Sequence, residues 1–499
     1  MAEYLSQDSD YHDLLRTKLG DLQGADTLIH ELTQNAHDSY QDAERTRHAS
    51  RITFDICDDG LRVTNDGIFS SCGEVSVPVC PWQETDTEHE LCDFHRCRRV
   101  AAGDKAKAEN VFGAFGVGFI SVYQITDQPE LWSNGLHWTL NPALPATERI
   151  LSEEDTSNRS GTEFWLPWAL DNSSELGRIL RRPPVGASEH IRSLEEQGPE
   201  VAQRAIMFLE GMESIEILRN GKRLSLITKA EAGDELVVDR DGATRSWLLV
   251  RGEFQNHKTE ADTRLAGQLS KRSAVATVAI SDNPADLKGL LFCGLPTRQP
   301  TQLPFHVNAH FFPSSDRKRI DVEGESYQVE WNLAALQAAA RAVASSLESI
   351  GETLGHNALW SVISALYSQN QRQELQDIFW DEVGAAAADS KIVFSSRRDW
   401  RTPIETRYLH NAKEEANLDA LEQLGLVLAH PDLRPHQLAL RALGVKQVDT
   451  QVLVEAICEI ASERRIELEQ AHPVLAIDLP APQLGEELSQ RFGTEAPER

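Results

Sequence analysis

Long hydrophobic runs and basic residues are the features that this chain of 499 residues has least of. No run of eighteen apolar residues occurs, so the sequence predicts no membrane-spanning helix. Lys and Arg number 49 against 78 Asp and Glu, which gives a net charge of −29. Because nucleic acids and anionic membranes are bound through Lys and Arg, this balance argues against a broad surface for either partner, but not against a local basic patch.

Cysteine is also scarce, and its distribution argues against a disulfide framework. The seven cysteines form an odd set, and five of them, from Cys57 to Cys97, lie within about forty residues. Secreted disulfide scaffolds do not show this pattern, so we expect reduced thiols. Residues 1–10 are polar and acidic instead of cationic and then apolar, which predicts a cytoplasmic protein. The remaining composition, 40% hydrophobic and 25% charged, is that of a folded globular chain.

The most informative stretch is residues 26–46. On a helix at about 100° per residue, its apolar side chains share one arc, and Glu31, Asn35, Asp38 and Asp42 share the adjoining arc. A carboxylate one turn before a neutral amide oxygen can activate a water molecule beside a divalent cation. Charges on the polar side of a helix are more often simply solvated, so this motif alone does not predict a site.

A second motif, about eighty residues downstream, changes that balance. Gly113, Gly116 and Gly118 form a glycine-rich loop that opens an apolar run from residue 119 to residue 125. Backbone N–H groups at the start of a helix can face phosphate groups. The two motifs in this order indicate a nucleotide site without a P-loop.

The two motifs resemble those of the Bergerat-fold ATPases, the superfamily of gyrase, the ninety-kilodalton heat-shock chaperone, histidine kinases and MutL. Residues 63–68 resemble the adenine-reading motif of that superfamily, and residues 160–166 resemble its late strand with a Gly-Thr pair near the base. The resemblance covers residues 11–168. Within the superfamily the chain is most similar to sacsin-type, chaperone-like proteins, because residues 295–317 resemble the segment that follows sacsin's nucleotide domain.

The resemblance implies a role for each matching residue. Glu31 is the implied catalytic base, and Asn35 is the implied Mg²⁺ ligand. Asn65 and Asp66 are alternative readers of adenine, and Asn-Asp-Gly is also an ordinary turn sequence. The implied nucleotide-binding residues are Asn35, Asp38, Asn65, Asp66, Gly67, Lys105, Gly113, Phe115, Gly116, Val117, Gly118, Phe119 and Thr162. A basic residue of the following domain is implied to reach the terminal phosphate, and the candidates are Arg317, Lys318 and Arg319.

Residues 70–110 lose regular periodicity, at the position where the family has a lid over the nucleotide. This segment contains a possible zinc-ligand set with a chelating Cys-x2-His spacing at its end: Cys72, Cys80, Cys92 and His95. A zinc ion could hold together a lid too polar to build its own core. The alternative is a set of unrelated free cysteines.

We predict an α+β protein with several domains. Residues 1–170 are expected to form a Bergerat-fold ATP-binding α/β sandwich, with the lid at about 70–110. Residues 171–200 are expected to be a connection, because they are charged and contain two consecutive prolines. An α+β middle domain is predicted at 201–354 and a mainly helical, sacsin-repeat-like region at 355–499.

Together these features predict a Mg²⁺-dependent, chaperone-like ATPase in which lid closure is coupled to rearrangement of the middle domain. Slow turnover is expected, because Asp42 stands where the chaperones commonly have Lys. The resemblance implies ATP-dependent homodimers, client or companion proteins, and a setting in bacterial stress or antiviral defence. The alternative function is a nucleotide-regulated scaffold that binds ATP with little hydrolysis and recruits partner proteins.

Overall fold

A computed structural model describes most of the chain. The described residues are 11–38, 49–85, 91–98, 118–157, 159–169, 174–182, 185–255, 272–314, 318–367, 374–410 and 418–464. They form a mixed α and β structure built on one long sheet. This is consistent with the predicted α+β class.

Fourteen of the described strands belong to that sheet. They are β1 (Arg51–Ile56), β2 (Gly60–Asn65), β3 (Glu130–Ser133), β4 (Leu136–Leu140), β5 (Ile150–Glu154), β6 (Thr162–Pro167), β7 (Ser214–Arg219), β8 (Lys222–Ala232), β9 (Glu235–Arg240), β10 (Ala243–Glu253), β11 (Val275–Ser281), β12 (Leu290–Cys293), β13 (Leu295–Pro300) and β14 (His306–Ala309). Their order is β13-β12-β14-β11-β10-β9-β8-β7-β1-β2-β6-β3-β4-β5. Four two-residue strands form two small separate sheets: β15 (Val393–Phe394) with β16 (Trp400–Arg401), and β17 (Arg407–Tyr408) with β18 (Lys446–Gln447).

The described α-helices surround the sheet and make up most of the C-terminal region. They are α1 (Tyr11–Asp21), α2 (Ala25–His37), α3 (Pro81–Thr85), α4 (Asp93–Arg98), α5 (Glu175–Leu180), α6 (Ala187–Ala205), α7 (Tyr327–Ser345), α8 (Leu347–Leu354), α9 (His356–Leu366), α10 (Glu374–Ala387), α11 (Leu418–Gln423), α12 (Gln437–Ala442) and α13 (Thr450–Arg464). Three 3₁₀ helices lie at Gly118–Gln124, Pro284–Asp286 and Pro431–His436. No helix in these ranges has both the length and the apolar character needed to cross a membrane.

Residues 51–57 alternate between apolar and polar side chains and are followed by the turn sequence Asp58-Asp59-Gly60, a pattern that predicts a hairpin. β1 and β2 form that antiparallel hairpin, and the burial along β1 alternates residue by residue. β2 pairs with β6 in a register that sets Asn65 opposite Thr162. Two motifs that are distant in sequence therefore meet at one end of adjacent strands.

The segment 171–200 differs from the expected connection. It contains α5 and most of α6, and α6 contacts α2. Gly198 of α6 permits this close packing, because a Cβ there would lie 3.1 Å from Ile217 Cδ1 and 3.5 Å from Ile29 Cδ1. β7 then pairs in parallel with β1, so the sheet runs without interruption past residue 170.

Buried side chains form three clusters. The first extends from Leu15 to Leu295 and includes the buried face of β1 and β7. The second extends from Val250 to Val445 and joins the far end of the sheet to α7–α10. A third, smaller cluster lies around α11 and α13. The helix expected at 331–354 is two helices, α7 and α8, separated at Ser346.

Candidate functional site

Helix α2 positions the first group of candidate residues. It begins after Gly24, whose φ of 105° suits glycine and whose N–H donates to Gln124 Oε1 at 2.9 Å. The helix ends at His37, with Asp38 as its C-cap. Residues 31–38 are all buried, so the surrounding chain encloses the polar and the apolar sides of this part of the helix alike. The predicted continuation of the helix beyond Asp38 lies outside the described residues.

The polar side of α2 is not a solvated surface. Glu31 and Asn35 are each 8% exposed, and Asp38 is 2% exposed. Burying a carboxylate or an amide costs free energy unless a partner or a ligand compensates. The burial therefore contradicts the solvated-surface explanation of these side chains and favours a built site.

The carboxylate of Glu31 lies directly against Gly118. A Cβ added to Gly118 would lie 1.7 Å from Glu31 Oε2 and 2.8 Å from Glu31 Cδ. Only glycine leaves this space, because any larger side chain would displace the carboxylate. The last glycine of the predicted phosphate loop thus meets the predicted base, and Gly118 begins a 3₁₀ helix where we expected a helix start.

The side chains of Asn35 and Asp38 differ in their hydrogen-bond partners. Asn35 Nδ2 has no hydrogen-bond partner among the described residues. Because the oxygen and nitrogen of an amide can be exchanged by a flip, one end of this amide is available to a ligand. Asp38 Oδ1 lies 3.2 Å from His37 Nδ1. Of the two, Asn35 is the better candidate for a ligand contact.

Asn65 and Asp66 face different surroundings. Asp66 Oδ1 accepts hydrogen bonds from Ser50 N at 2.8 Å and Arg51 N at 2.9 Å, and Ser50 Oγ donates to Asp66 Oδ2 at 2.5 Å. These bonds hold the start of β1, which is a structural role. Asn65 is buried, and its Oδ1 accepts from Gly67 N at 2.9 Å. The geometry therefore favours Asn65 over Asp66 as the residue that faces a base.

Thr162 lies beside Asn65, as the strand register requires. Thr162 Oγ1 donates to Gly67 O at 2.8 Å and lies 2.8 Å from Ser133 Oγ. Gly161 has a φ of 87°, and a Cβ there would lie 2.1 Å from Asn65 O. The Gly-Thr pair thus packs on the turn that carries the candidate adenine reader. Ser133 is a member of this hydrogen-bond network that the sequence did not single out.

A small cavity of about 60 Å³ lies beside Glu31. Its lining combines side chains of α2 with β13 and Lys318. Arg319 is engaged elsewhere, because its Nε lies 2.9 Å from Asp321 Oδ1 and its backbone N donates to Ser314 Oγ at 3.2 Å. Among the basic candidates of this segment that the structure describes, Lys318 is the one that lines the cavity with Glu31.

Arg298 holds β13 against the start of α2. Its Nε donates to Asp26 Oδ2 at 3.0 Å, and its Nη2 donates to Asp26 Oδ1 and to Thr27 Oγ1 at 2.9 Å each. Its backbone N donates to Lys318 O at 3.0 Å. The sequence showed the acidic residue in the first helical turn, but its partner is 272 positions away.

Several predicted residues lie outside the described part of the chain. They are Lys105, Gly113, Phe115, Gly116, Val117 and Arg317. Phe119 is described and packs against Phe164, with ring centroids 5.5 Å apart. A cavity of about 860 Å³ in the N-terminal region is lined by α1, Cys97, Arg98 and the segment around Arg149. Neither Glu31 nor Asn35 lines it, so the case for a nucleotide site rests on side-chain chemistry and not on cavity size.

The four predicted zinc ligands converge. The sulfur atoms of Cys72, Cys80 and Cys92 and one ring nitrogen of His95 all lie within 4.8 Å of one another. Cys80, Cys92 and His95 are buried, and no disulfide joins the sulfurs. The set therefore has the composition and the proximity of a metal centre.

Comparisons with known proteins point to one family. A family model described as "Sacsin domain" matches residues 8–160. The protein Sacsin of Homo sapiens is 24% identical in a match that covers 48% of this chain and 7% of its own length, so this chain spans only a small part of that relative. Both findings support a sacsin-like family. A solved structure described as the N-terminal domain of a DNA repair protein matches with a TM-score of 0.34 and 11% identity, over 65% of this chain and 94% of that one, a similarity too low to carry an argument.

Proposed function

We propose that this chain is a chaperone-like, Mg²⁺-dependent ATPase whose N-terminal part has the Bergerat arrangement. The observation that carries the proposal is the enclosed polar side of α2, where the Glu31 carboxylate fits against Gly118. Burying a carboxylate costs free energy, so a chain that encloses one on the polar side of a helix has the character of a built site. The sacsin-like match over residues 8–160 includes this helix and supports the same reading.

The residues present fit a magnesium nucleotide. Asn35 has an amide end without a partner among the described residues, and Gly118 leaves a space that a Cβ would fill. When bound, Mg²⁺ would neutralise phosphate charge and polarise the terminal phosphoryl group. Glu31 orients and deprotonates the attacking water, while Asn65 and Thr162 hold the base at the ends of β2 and β6. Lys318 supplies positive charge near the terminal phosphate.

The same contacts give a route from the nucleotide to the rest of the protein. Lys318 and Arg298 both follow β12 in the chain and both line the Glu31 cavity, and Arg298 also donates hydrogen bonds to Asp26 of α2. A change at the phosphate end of the site would therefore act directly on β13 and its neighbours. This is the coupling that a conformational ATPase needs.

Two variants of one helix test the proposal. Glu31→Gln should bind ATP with the parental affinity and lower turnover by about 10²–10⁴, because only the general base is removed. Asn35→Ala should weaken nucleotide binding by on the order of 100-fold, because a ligand to the charge-neutralising ion is lost. Equilibrium binding of a fluorescent ATP analogue and steady-state ADP release measure the two effects.

Asp66→Asn is a matched control near the adenine end. Its carboxylate serves Ser50 and Arg51, so the variant should change stability more than nucleotide affinity. If the parent protein binds ATP but Glu31→Gln releases ADP at the parental rate, the assigned base is wrong and the scaffold function is the better one. If the parent does not bind ATP, the proposal fails as a whole.

Two finer parts of the proposal rest on the family resemblance. They are ATP-dependent association of two chains, with client or companion proteins, and a setting in bacterial stress or antiviral defence. Both require nucleotide binding, so Asn35→Ala should abolish the ATP-dependent change in sedimentation and any protection that the parent protein gives to cells. An ATP-dependent dimer that persists in Asn35→Ala would contradict this link.

A further inference from the structure

The segment that follows β2, described at residues 70–85 and 91–98, has little regular structure to stabilise it. From residue 71 to residue 79 it contains no strand or helix and most of its side chains are exposed or partly exposed, including Val79 at 45%. The only helices described between residues 70 and 98 are α3 and α4, of five and six residues. Helices of that length are not stable by themselves.

Four side chains of this segment lie close to one another. Cys72 and Cys80 come from its irregular first part, Cys92 precedes α4, and His95 lies on α4. Their ligand atoms all lie within 4.8 Å of one another. Around a tetrahedral zinc ion with Zn–S bonds of about 2.3 Å, neighbouring ligand atoms would be separated by about 3.8 Å. The observed spacing needs only small side-chain movements to reach that geometry.

His95 is oriented as a metal-binding histidine would be. Its Nε2 lies 3.0 Å from Val77 O, a carbonyl that can only accept a hydrogen bond, so Nε2 carries the proton. Nδ1 then presents a lone pair, and it lies 3.1 Å from Cys92 Sγ and 3.5 Å from Cys72 Sγ. A carbonyl partner on the second ring nitrogen is the usual support of a histidine ligand.

The residues around the cluster fix its position relative to the core. Arg98 Nη1 donates to Val75 O at 2.7 Å and to Val77 O at 2.6 Å. Phe94 is buried against Trp138, with ring centroids 4.9 Å apart. α4 is thereby anchored on the sheet, and the four ligands tie the exposed loop to α4.

A second group of potential metal ligands is less buried than the cluster around His95 and uses one of its ring nitrogens in a backbone hydrogen bond. His356, His430 and Asp432 also bring their ligand atoms within 4.8 Å. There, however, His430 Nδ1 accepts a hydrogen bond from Asp432 N at 3.3 Å as the cap of a 3₁₀ helix, and Asp432 is half exposed. The His430 ring nitrogen already serves as a helix cap, so this cluster is not a built metal site.

We propose that Cys72, Cys80, Cys92 and His95 bind one structural Zn²⁺ ion, which ties residues 71–80 to α4 and so to the sheet. Three sulfurs and one imidazole nitrogen match the soft, borderline donors that select zinc over Mg²⁺ or Ca²⁺. All four protein ligands are present, so the ion is structural and has no open position for catalysis. The proposal does not depend on ATP binding and can fail or succeed separately from it.

Metal analysis of the full chain tests the proposal. Protein expressed with added zinc and purified without chelator should contain about one equivalent of zinc, which a mercurial reagent releases as the thiols react. Cys92→Ser and His95→Ala should each lower the zinc content at least tenfold. Cys97→Ser is the matched control, because Cys97 lies on α4 two residues after His95 but is not in the cluster, and it should keep one equivalent.

Reconstitution keeps the test decisive if a variant fails to fold. Parent protein stripped by a chelator should rebind one equivalent of Zn²⁺, and Co²⁺ in its place should give the intense visible bands of a tetrahedral thiolate site. A zinc content below about a tenth of an equivalent in the parent, with no cobalt spectrum, overturns the proposal. Stoichiometric iron or copper in place of zinc, or equal metal loss in Cys97→Ser and Cys92→Ser, overturns it as well.

Discussion

Two buried asparagines on helices, Asn35 and Asn332, show how two regions of the molecule differ. Asn332 of α7 is fully buried, and the chain satisfies its whole amide: Oδ1 accepts from Phe312 N at 2.8 Å, and Nδ2 donates to Phe312 O and Asp321 O at 3.0 Å each. Asn35 of α2 is nearly as buried, but its Nδ2 has no partner among the described residues. One amide is completed by the fold, and the other contacts a ligand in our proposal.

The same contrast extends to neighbouring groups. In the middle region, His306 Nδ1 accepts from Leu290 N at 3.0 Å, and Thr301 Oγ1 donates to Gly289 O at 2.8 Å. In the N-terminal region, we propose that the three clustered thiols and His95 bind a zinc ion. Buried polar groups that the chain completes should therefore govern stability, whereas those it leaves open should govern binding.

The largest expected effect separates the two asparagines. Asn332→Ala leaves two backbone carbonyls and one N–H without partners, so the free energy of unfolding should fall by about 3 kcal/mol. Asn35→Ala should lower it by less than about 1 kcal/mol, since no hydrogen bond to the described chain is lost. Urea denaturation of both variants without nucleotide measures the difference. Equal losses of stability would break the comparison.

Acid should weaken the middle region through His306. Burial lowers the pKa of this imidazole to about 3, and Arg204 adds to the effect. Between pH 6.5 and 3 the unfolded chain binds a proton at this position and the folded chain does not, so stability falls as the pH falls, by up to about 1.4 kcal/mol per pH unit. His306→Asn should reduce that slope. The check is the pH dependence of the urea midpoint from pH 6.5 to 4.5, and an unchanged slope in the variant would contradict the assignment.

A smaller effect should distinguish two adjacent basic residues. Lys318 lines the Glu31 cavity, whereas Arg319 pairs with Asp321 away from it. Lys318→Ala should lower kcat for ATP about tenfold, as expected for one charge near the terminal phosphate, and Arg319→Ala should leave it near the parental value. ADP release under saturating ATP measures both. The reverse order would move the phosphate contact to Arg319.

Regular periodicity explains what the sequence could predict. The alternation in β1 and β2 gave a hairpin, and its end placed Asn65 opposite Thr162. The helical spacing placed Glu31 and Asn35 on one stripe, which the structure buries. A periodic pattern does not show whether the polar side of a helix is buried. The explanation of Glu31 and Asn35 as solvated side chains could therefore be rejected only once the surroundings of α2 were known.

The features that the sequence could not predict depend on few buried residues or on contacts between residues far apart in the chain. α6 buries only four residues, Leu194, Gly198, Ala202 and Ala205, and contains Pro199, so its sequence looks like a charged connection. The clamp between Arg298 and Asp26 joins positions whose separation no local pattern encodes. The ligands Cys72, Cys80, Cys92 and His95 could be named from residue type, but their irregular spacing could not show that they converge.

The parallel pairing of β1 with β7 has a consequence for anyone who shortens this protein. A fragment that ends near residue 170 would keep β1 and β2 but lose β7, and the N–H and C=O groups of Arg51–Ile56 that face β7 would become an open edge. The fragment would also lose α6 and so uncover the apolar side of α2. Such an edge tends to recruit further strands from other molecules, so the fragment should aggregate, and any shortened protein should keep at least α6 and β7.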